Sequence, residues 1–175
     1  MTPEIKKILY ATDLSANSIY ALRHALHSAM VYNAEIVIMH TIESPHIGYA
    51  PILATYIDDK GQHKLHADLV SEAKAAIETR LKAVCNGELD LGPGCVEIVK
   101  SVEVCEGFPA ERILETAKQF DCDLIIMGTH SKGIVGTTFL GSTAKRVLRR
   151  TRIPIYIIPL PKGETDDTIQ EIDGA

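Results

Sequence analysis

Residues 122–133 read CDLIIMGTHSKG, an apolar run that passes directly into a polar loop containing two glycines. Residues 124–127 (LIIM) are all apolar and two of them are β-branched, which is typical of a strand that is covered on both faces, as in parallel sheets. Gly128 ends this run, and because glycine lacks a Cβ it lets a ligand approach the backbone closely. The stretch therefore predicts a buried strand over 122–127 that leads into a candidate binding loop.

The rest of the chain alternates strand and helix around this stretch. The predicted strands are 6–13, 34–42, 95–104 and 153–158, and the predicted helices are 15–30, 64–84, 142–150 and one that begins at Pro109. Ser15 and Ser142 are the expected N-caps of the first and last helices. Strands separated by helices require right-handed crossovers, so we predict an α/β fold with a parallel sheet covered by helices on both faces.

Two segments fall outside this alternation. Residues 43–62 form a long connection that is rich in apolar and aromatic residues, and plain loops of this length are uncommon. We therefore predict a short helix there, or a flap over the binding site. Residues 162–175 carry five acidic residues, which indicates a flexible tail after a single domain over 1–161.

Composition excludes several classes of protein. A net charge of −5 argues against a broadly basic surface for nucleic acid. The longest apolar run, 153–160, is too short for a transmembrane helix, which needs roughly 20 residues. The N-terminus lacks the apolar stretch of a secretory signal, so we expect a cytoplasmic protein without a membrane partner. No two of the four cysteines form a Cys-x-x-Cys pair, so we expect reduced thiols and no zinc site.

Two predicted strand ends carry polar residues suited to a ligand. They are Ala11-Thr12-Asp13 and the segment from Gly128 to Ser142, and ligands of parallel sheets bind beyond the carboxyl ends of the strands. The last helix opens at Gly141-Ser142-Thr143, where unpaired N–H groups and a partial positive charge suit phosphate oxygens. The alternative is a glycine-containing loop, capped by Ser142, that binds nothing. Spacing alone leaves both interpretations open.

The remaining histidines and other candidate residues do not form a recognisable metal site or catalytic group. His24/His27 and His63/His66 have a spacing that could chelate a metal, but such pairs are commonly solvated surface residues, and we predict no metal site. His40 ends a buried strand and is expected to be packed and hydrogen-bonded. Neither a Ser-His-Asp pattern nor an acidic cluster for Mg²⁺ is recognisable, so we predict no catalytic residues.

Several segments together resemble one known family. Gly128-Thr-His-Ser131, nine further residues and then Gly141-Ser142 resemble the G-x-x-G-x9-G-[S/T] signature of the universal stress proteins. The segments KKILYATDLS, IVIMHTI and IPIYIIP are also similar to that family, so the resemblance spans essentially the whole chain. It implies a Rossmann-like, five-stranded parallel sheet of order 3-2-1-4-5 and a cytoplasmic homodimer. We predict that the dimer pairs antiparallel through the edge strand Ile153–Ile158; the alternative is that the tail over 159–175 covers this edge.

The resemblance also implies a ligand, ATP or AMP, which Mg²⁺ can accompany on the phosphates. It places Asp13 at the ribose, although Asp13 could instead brace a turn. Ala11 and Thr41 would lie near the adenine, with Thr12 and Met127 beside them. The residues expected along the phosphates are Gly128, His130, Ser131, Gly141, Ser142 and Thr143. Ser131 departs from the motif glycine; its side chain narrows the approach to the backbone, while its hydroxyl can donate to phosphate.

The function that follows is an adenine-nucleotide-binding stress-response or signalling module. Two alternatives stay open. One is an interaction protein on the same fold that binds no nucleotide, and the other is a slow ATP phosphohydrolase.

Overall fold

The computed structural model describes residues 3–15, 17–43, 59–88, 93–129 and 140–159. The predictions for His130 and Ser131, for most of the 43–62 connection and for the tail from 162 lie outside these residues. Within them, no helix is long and apolar enough to cross a membrane.

Five strands form one parallel sheet. They are β1 (Lys7–Thr12), β2 (Glu35–Ile42), β3 (Val99–Glu106), β4 (Leu124–Gly128) and β5 (Ile155–Ile158), hydrogen-bonded in the order β3-β2-β1-β4-β5. The central strand β1 places Leu9 beside Val37 of β2 and Ile125 of β4. The sheet order 3-2-1-4-5 is confirmed, and it makes β3 and β5 the two edges of the sheet.

Within the described residues, four α-helices connect the strands: α1 (Ser18–Tyr32), α2 (Asp59–Ala83), α3 (Pro109–Gln119) and α4 (Ser142–Arg150). The predicted cap of the first helix is wrong, because α1 begins at Ser18 with Asn17 at its N-cap. The Ser15 hydroxyl instead donates to Asp13 Oδ1 at 2.6 Å, so Ser15 braces the preceding turn. α2 begins five residues earlier than expected, while Pro109 does open α3, where its missing N–H costs nothing.

Both faces of the sheet are covered, and the alternation of side chains along each strand decides which helices each face meets. Ile8 and Ile38 lie in one buried cluster with apolar residues of α1 and α2, such as Leu26 and Ile77. The residues between them on the strands face the other way. The second cluster contains Leu9, Val37, Met39 and Ile125 together with Ile113 of α3 and Val147 of α4.

The prediction of reduced thiols is wrong for two of the four cysteines. Cys85 lies in a π-helical turn, Val84–Glu88, that follows α2, and Cys95 lies in a 3-10 helix, Pro93–Ile98, that precedes β3. These turns bring the two Cα atoms to 5.7 Å, a normal disulfide separation, and the sulfurs are bonded. The predicted strand therefore begins at Val99 rather than Cys95. Cys105 and Cys122 are free.

Candidate functional site

A cavity of about 390 Å³ opens at the carboxyl ends of β1, β2 and β4. Its volume lies within the range of about 300–1,000 Å³ that is usual for small-molecule sites. The predicted site residues that line it are Ala11, Thr12, Asp13, Thr41, Met127, Gly128, Gly141, Ser142 and Thr143. The fold thus gathers nine of the eleven predicted residues around one space, and the other two, His130 and Ser131, are not among the described residues.

The turn after β1 presents Asp13 to this cavity. Asp13 Oδ1 accepts two hydrogen bonds from Ser15, one from its backbone N–H at 3.0 Å and one from its hydroxyl. Leu14 has a φ of 58°, a left-handed conformation that non-glycine residues rarely adopt, and its N–H donates to Thr12 Oγ1 at 3.1 Å. The bracing role that the sequence left open is therefore present. Both bonds go to Oδ1, Asp13 is exposed, and among the described residues no hydrogen bond to Oδ2 is present.

Gly128 lies at the end of β4 on the cavity wall. A Cβ built at this position would meet no atom within 4 Å, so the packing of the protein does not require glycine here. The next residue, Thr129, donates its N–H to Ile158 of β5 at 3.1 Å, which continues the ladder past the glycine. The open space beside Gly128 belongs to the cavity and is available to a ligand that approaches the backbone.

The N-terminus of α4 closes the cavity on the side of β4. Gly141 is the N-cap, and its N–H already donates to the Thr129 carbonyl at 2.7 Å. The first helical hydrogen bond runs from Lys145 N–H to the Gly141 carbonyl, so helix geometry leaves the amides of Ser142, Thr143 and Ala144 without helical acceptors. The expected capping role of Ser142 is wrong, because Ser142 is the first helical residue and no side chain caps the helix.

The opposite end of the cavity, toward β2 and α3, is more apolar. Met39, Pro109 and Ile113 line it together with Thr41. His40 lies beside Thr12 in the β1–β2 register, and its Nδ1 is 2.9 Å from the Thr12 carbonyl oxygen. Because a carbonyl only accepts, Nδ1 carries the proton of this bond. His40 is thus hydrogen-bonded, as expected, and it also lines the cavity.

Sequence reasoning missed several lining residues on elements that flank the predicted loops. They are Asn17, Ser18, Tyr20, Met39, His40, Glu43, Pro109, Ile113, Thr129, Ala144 and Ile158. The predicted strand order was a usable signal for some of them, since it puts the end of β2 beside the end of β1. The residues from α1 and α3 depend on how each helix is rotated against the sheet, which periodicity alone does not fix.

The charges around the cavity differ from one end to the other. At the α4 end, the helix terminus carries a partial positive charge, and Lys145 and Arg146 are exposed on its first turns. The acidic residues in the described lining are Asp13, which follows β1, and Glu43, which follows β2. Among the described residues, no group of three His, Cys, Asp or Glu side chains is placed to hold a metal ion. The arrangement suits an elongated ligand with an anionic end at α4.

Comparison with known proteins gives a consistent match. The model of the universal stress protein family matches residues 4–159. Universal stress protein MJ0531 of Methanocaldococcus jannaschii is 32% identical over 160 residues, which cover 91% of this chain and 85% of the relative. Universal stress protein MJ0577 of the same organism is 28% identical over 166 residues, which cover 90% of this chain and 97% of the relative.

Solved structures agree in fold. The structure of MJ0577 superposes with a TM-score of 0.69 at 25% identity, over 91% of this chain and 99% of that chain. A universal stress protein solved in complex with cAMP superposes with a TM-score of 0.52 at 21% identity, over 89% of this chain and 98% of that chain. The family match over nearly the whole chain and the shared sheet order lead to one conclusion: this chain belongs to the universal stress protein family.

Proposed function

We propose that this protein binds an adenine nucleotide, ATP or AMP, in the cavity and acts as a stress-response or signalling module through its dimer and partners. The observation that supports this most directly is the open space at Gly128 beside the uncapped N-terminus of α4. Backbone amides at a helix terminus bind phosphate oxygens well, and a glycine beside them permits close contact. The relative solved with cAMP supports an adenine nucleotide as the ligand class.

The proposed orientation follows from the two ends of the cavity. The phosphates lie at Gly128 and at the amides of Ser142 and Thr143. The adenine lies against the apolar wall that Met39 and Ile113 form, because such side chains suit a flat ring. Asp13 lies between these ends and accepts hydrogen bonds from the ribose hydroxyls through Oδ2. Mg²⁺ in this proposal arrives on the phosphates, because Asp13 and Glu43 are the only acidic residues in the part of the lining that the structure describes.

The test is a thermal titration of the purified protein with ATP, ADP and AMP, each with and without Mg²⁺. A ligand that binds only the folded state stabilises it by about 2.7 kcal/mol at one hundred times Kd, so the midpoint of unfolding should rise. In Gly128→Val, the side chain fills the ligand space, and we expect this rise to disappear while the unliganded protein keeps its stability.

Gly94→Val is the matched control. A Cβ at Gly94 also meets no atom within 4 Å, but Gly94 lies in the 3-10 helix away from the cavity. The shift should survive in this variant. If no nucleotide shifts the wild-type protein, the proposal fails and the nucleotide-independent interaction protein replaces it. If the shift survives in Gly128→Val, the nucleotide binds elsewhere.

Efficient turnover is not part of the proposal. His40 is held by the Thr12 carbonyl at the cavity wall, but among the described residues no hydrogen bond joins it to a serine, threonine or cysteine side chain. Ser15, which is hydrogen-bonded to Asp13, is buried and does not line the cavity. Phosphate release from Mg-ATP should therefore stay well below the common enzyme range of about 1–1,000 per second. A cytoplasmic location also remains a proposal, and the buried disulfide is uncommon for proteins of reducing compartments.

A further inference from the structure

We infer that Arg80 of α2 is a positioning residue for the nucleotide, because it holds the turn that presents Asp13 to the cavity. This inference rests on the proposed function, since it concerns the same site. Arg80 is 67 positions away from Asp13 in sequence and does not line the cavity itself. It reaches the site from the outer side of the β1–α1 turn.

The contacts of Arg80 end on two residues of that turn. Its Nη1 donates to the Ser15 carbonyl at 3.1 Å and to the Ser18 hydroxyl oxygen at 3.3 Å. The Ser18 hydroxyl in turn donates to the Ser15 carbonyl at 2.7 Å, and Ser18 N–H donates to the same carbonyl at 3.1 Å. One carbonyl oxygen therefore accepts from three donors, and the guanidinium ties this group to a different helix.

The turn passes this constraint on to Asp13. Ser15 is almost fully buried, and both its N–H and its hydroxyl donate to Asp13 Oδ1. Rotation or withdrawal of Ser15 would break these bonds and release the carboxylate. The link from α2 to the cavity is thus a continuous set of hydrogen bonds in which Ser15 is the central residue.

Two further observations indicate that the turn needs support from outside. Leu14 is held at a φ of 58°, which an L-residue adopts only when the surrounding structure imposes it. Arg80 also places a positive charge at the N-terminus of α1, where the helix dipole disfavours cations. The first turn of α1 contains no acidic residue that would compensate. The helix dipole of α1 therefore does not explain why Arg80 contacts this turn. A role in orienting Asp13 through Ser15 does explain it.

The test measures AMP affinity by calorimetry in a double-mutant cycle of Arg80→Met and Asp13→Ala. Each single variant should weaken AMP binding by about tenfold, within the range of coupling seen for residues in one network. The double variant should bind AMP no more weakly than Asp13→Ala alone, because Arg80 acts through Asp13. Lys82→Met, at an exposed position on the same helix, should bind as the wild type does.

Amide exchange of the free proteins provides a readout that needs no ligand. In Arg80→Met, exchange should accelerate at Ser15 and Ser18 while the strands stay protected. If Arg80→Met does not fold, Arg80→Gln, which keeps a donor, takes its place in the cycle.

The outcomes separate this inference from the proposed function. Wild-type affinity in folded Arg80→Met, or losses that simply add in the double variant, would overturn the role of Arg80 and leave the nucleotide proposal intact. If the wild-type protein binds ATP but not AMP, the same cycle is measured with ATP. If it binds neither nucleotide, both the inference and the proposed function are overturned. Coupled losses together with faster exchange in the turn would support the inference.

Discussion

The buried hydroxyl of Tyr10 is hydrogen-bonded to the first residue of α1, next to the candidate site. Tyr10 is 2% exposed in the core of β1, and its hydroxyl donates to the Ser18 carbonyl at 2.6 Å. Burial raises the pKa of Tyr10 to about 12, because the apolar surroundings disfavour the charged phenolate. The folded protein therefore keeps this phenol neutral at pH values where an unfolded chain, with a tyrosine pKa near 10, loses the proton.

This difference predicts a loss of stability at alkaline pH. A group whose pKa is raised by folding contributes its full stabilisation below pH 10 and loses it as the pH rises toward 12. At about 1.4 kcal/mol per pKa unit, the free energy of unfolding should fall by about 2–3 kcal/mol over that interval. Denaturant unfolding at several pH values measures the slope, and Tyr10→Phe should remove most of it. An equally steep decline in Tyr10→Phe would assign the effect to other groups.

The two edge strands differ in a way that bears on assembly. β3 carries Lys100, Glu103 and Glu106, and charged residues discourage pairing with another chain. β5 has the sequence IYII with no charge, and its Tyr156 is 38% exposed, with its hydroxyl 2.8 Å from that of Tyr32. The homodimer through Ile153–Ile158 stays a prediction, and of the two edges β5 is the one suited to it.

Hydrogen-bond alternation along β5 gives a specific test of this dimer. The Pro154 carbonyl accepts from Ile125 N–H of β4, and the Ile158 carbonyl accepts from Thr129 N–H just after β4. Backbone groups of neighbouring residues point to opposite sides of a strand, so those of Ile155 and Ile157 point to the open edge. Ile157→Pro removes an outward N–H without removing a bond to β4 and should shift the protein toward monomer in light scattering. Ile157→Ala loses similar packing but keeps the N–H, so it should remain a dimer. A dimer that persists in Ile157→Pro would place the interface elsewhere.

The sequence predicted best those strands and helices whose pattern of apolar residues fits one type of secondary structure. Residues 124–127 are all apolar, and the glycine that follows them and the short length of the run favour a buried strand over a helix. β4 lies in the sheet as expected. The start of β3 failed for the opposite reason. Val96 and Ile98 alternate as in a strand, yet this segment is a 3-10 helix, and its Cys95 is bonded to Cys85. A distant partner of this kind leaves no local signal.

The candidate site divides in the same way. Asp13 and Gly128 were predictable because they follow apolar strands, and the carboxyl ends of parallel strands share one edge. Tyr20 could not be predicted, because its place at the cavity depends on the rotation of α1. Arg80 could not be predicted either, because it contacts the turn from α2, and no described residue of α2 lines the cavity. Spacing in sequence locates strand ends, whereas contacts between helices and turns depend on the finished packing.

At the scale of the whole molecule, the Cys85–Cys95 disulfide joins the end of α2 to the start of β3. Both cysteines are buried and belong to the cluster on the α1 and α2 face of the sheet. The bond closes a loop with a sequence separation of 10 residues. In the loop-entropy description, a link across a loop of this size restricts the unfolded chain and stabilises the folded one by about 2–3 kcal/mol.

Reduction should therefore lower the free energy of unfolding by about that amount without changing the fold. Denaturant unfolding of oxidised and reduced protein measures the difference, and the variant with both Cys85→Ala and Cys95→Ala should match the reduced form. In that variant, added reductant should have no further effect, which separates this bond from the free Cys105 and Cys122. Equal stability of oxidised and reduced wild-type protein would mean that the two turns are held together by packing alone.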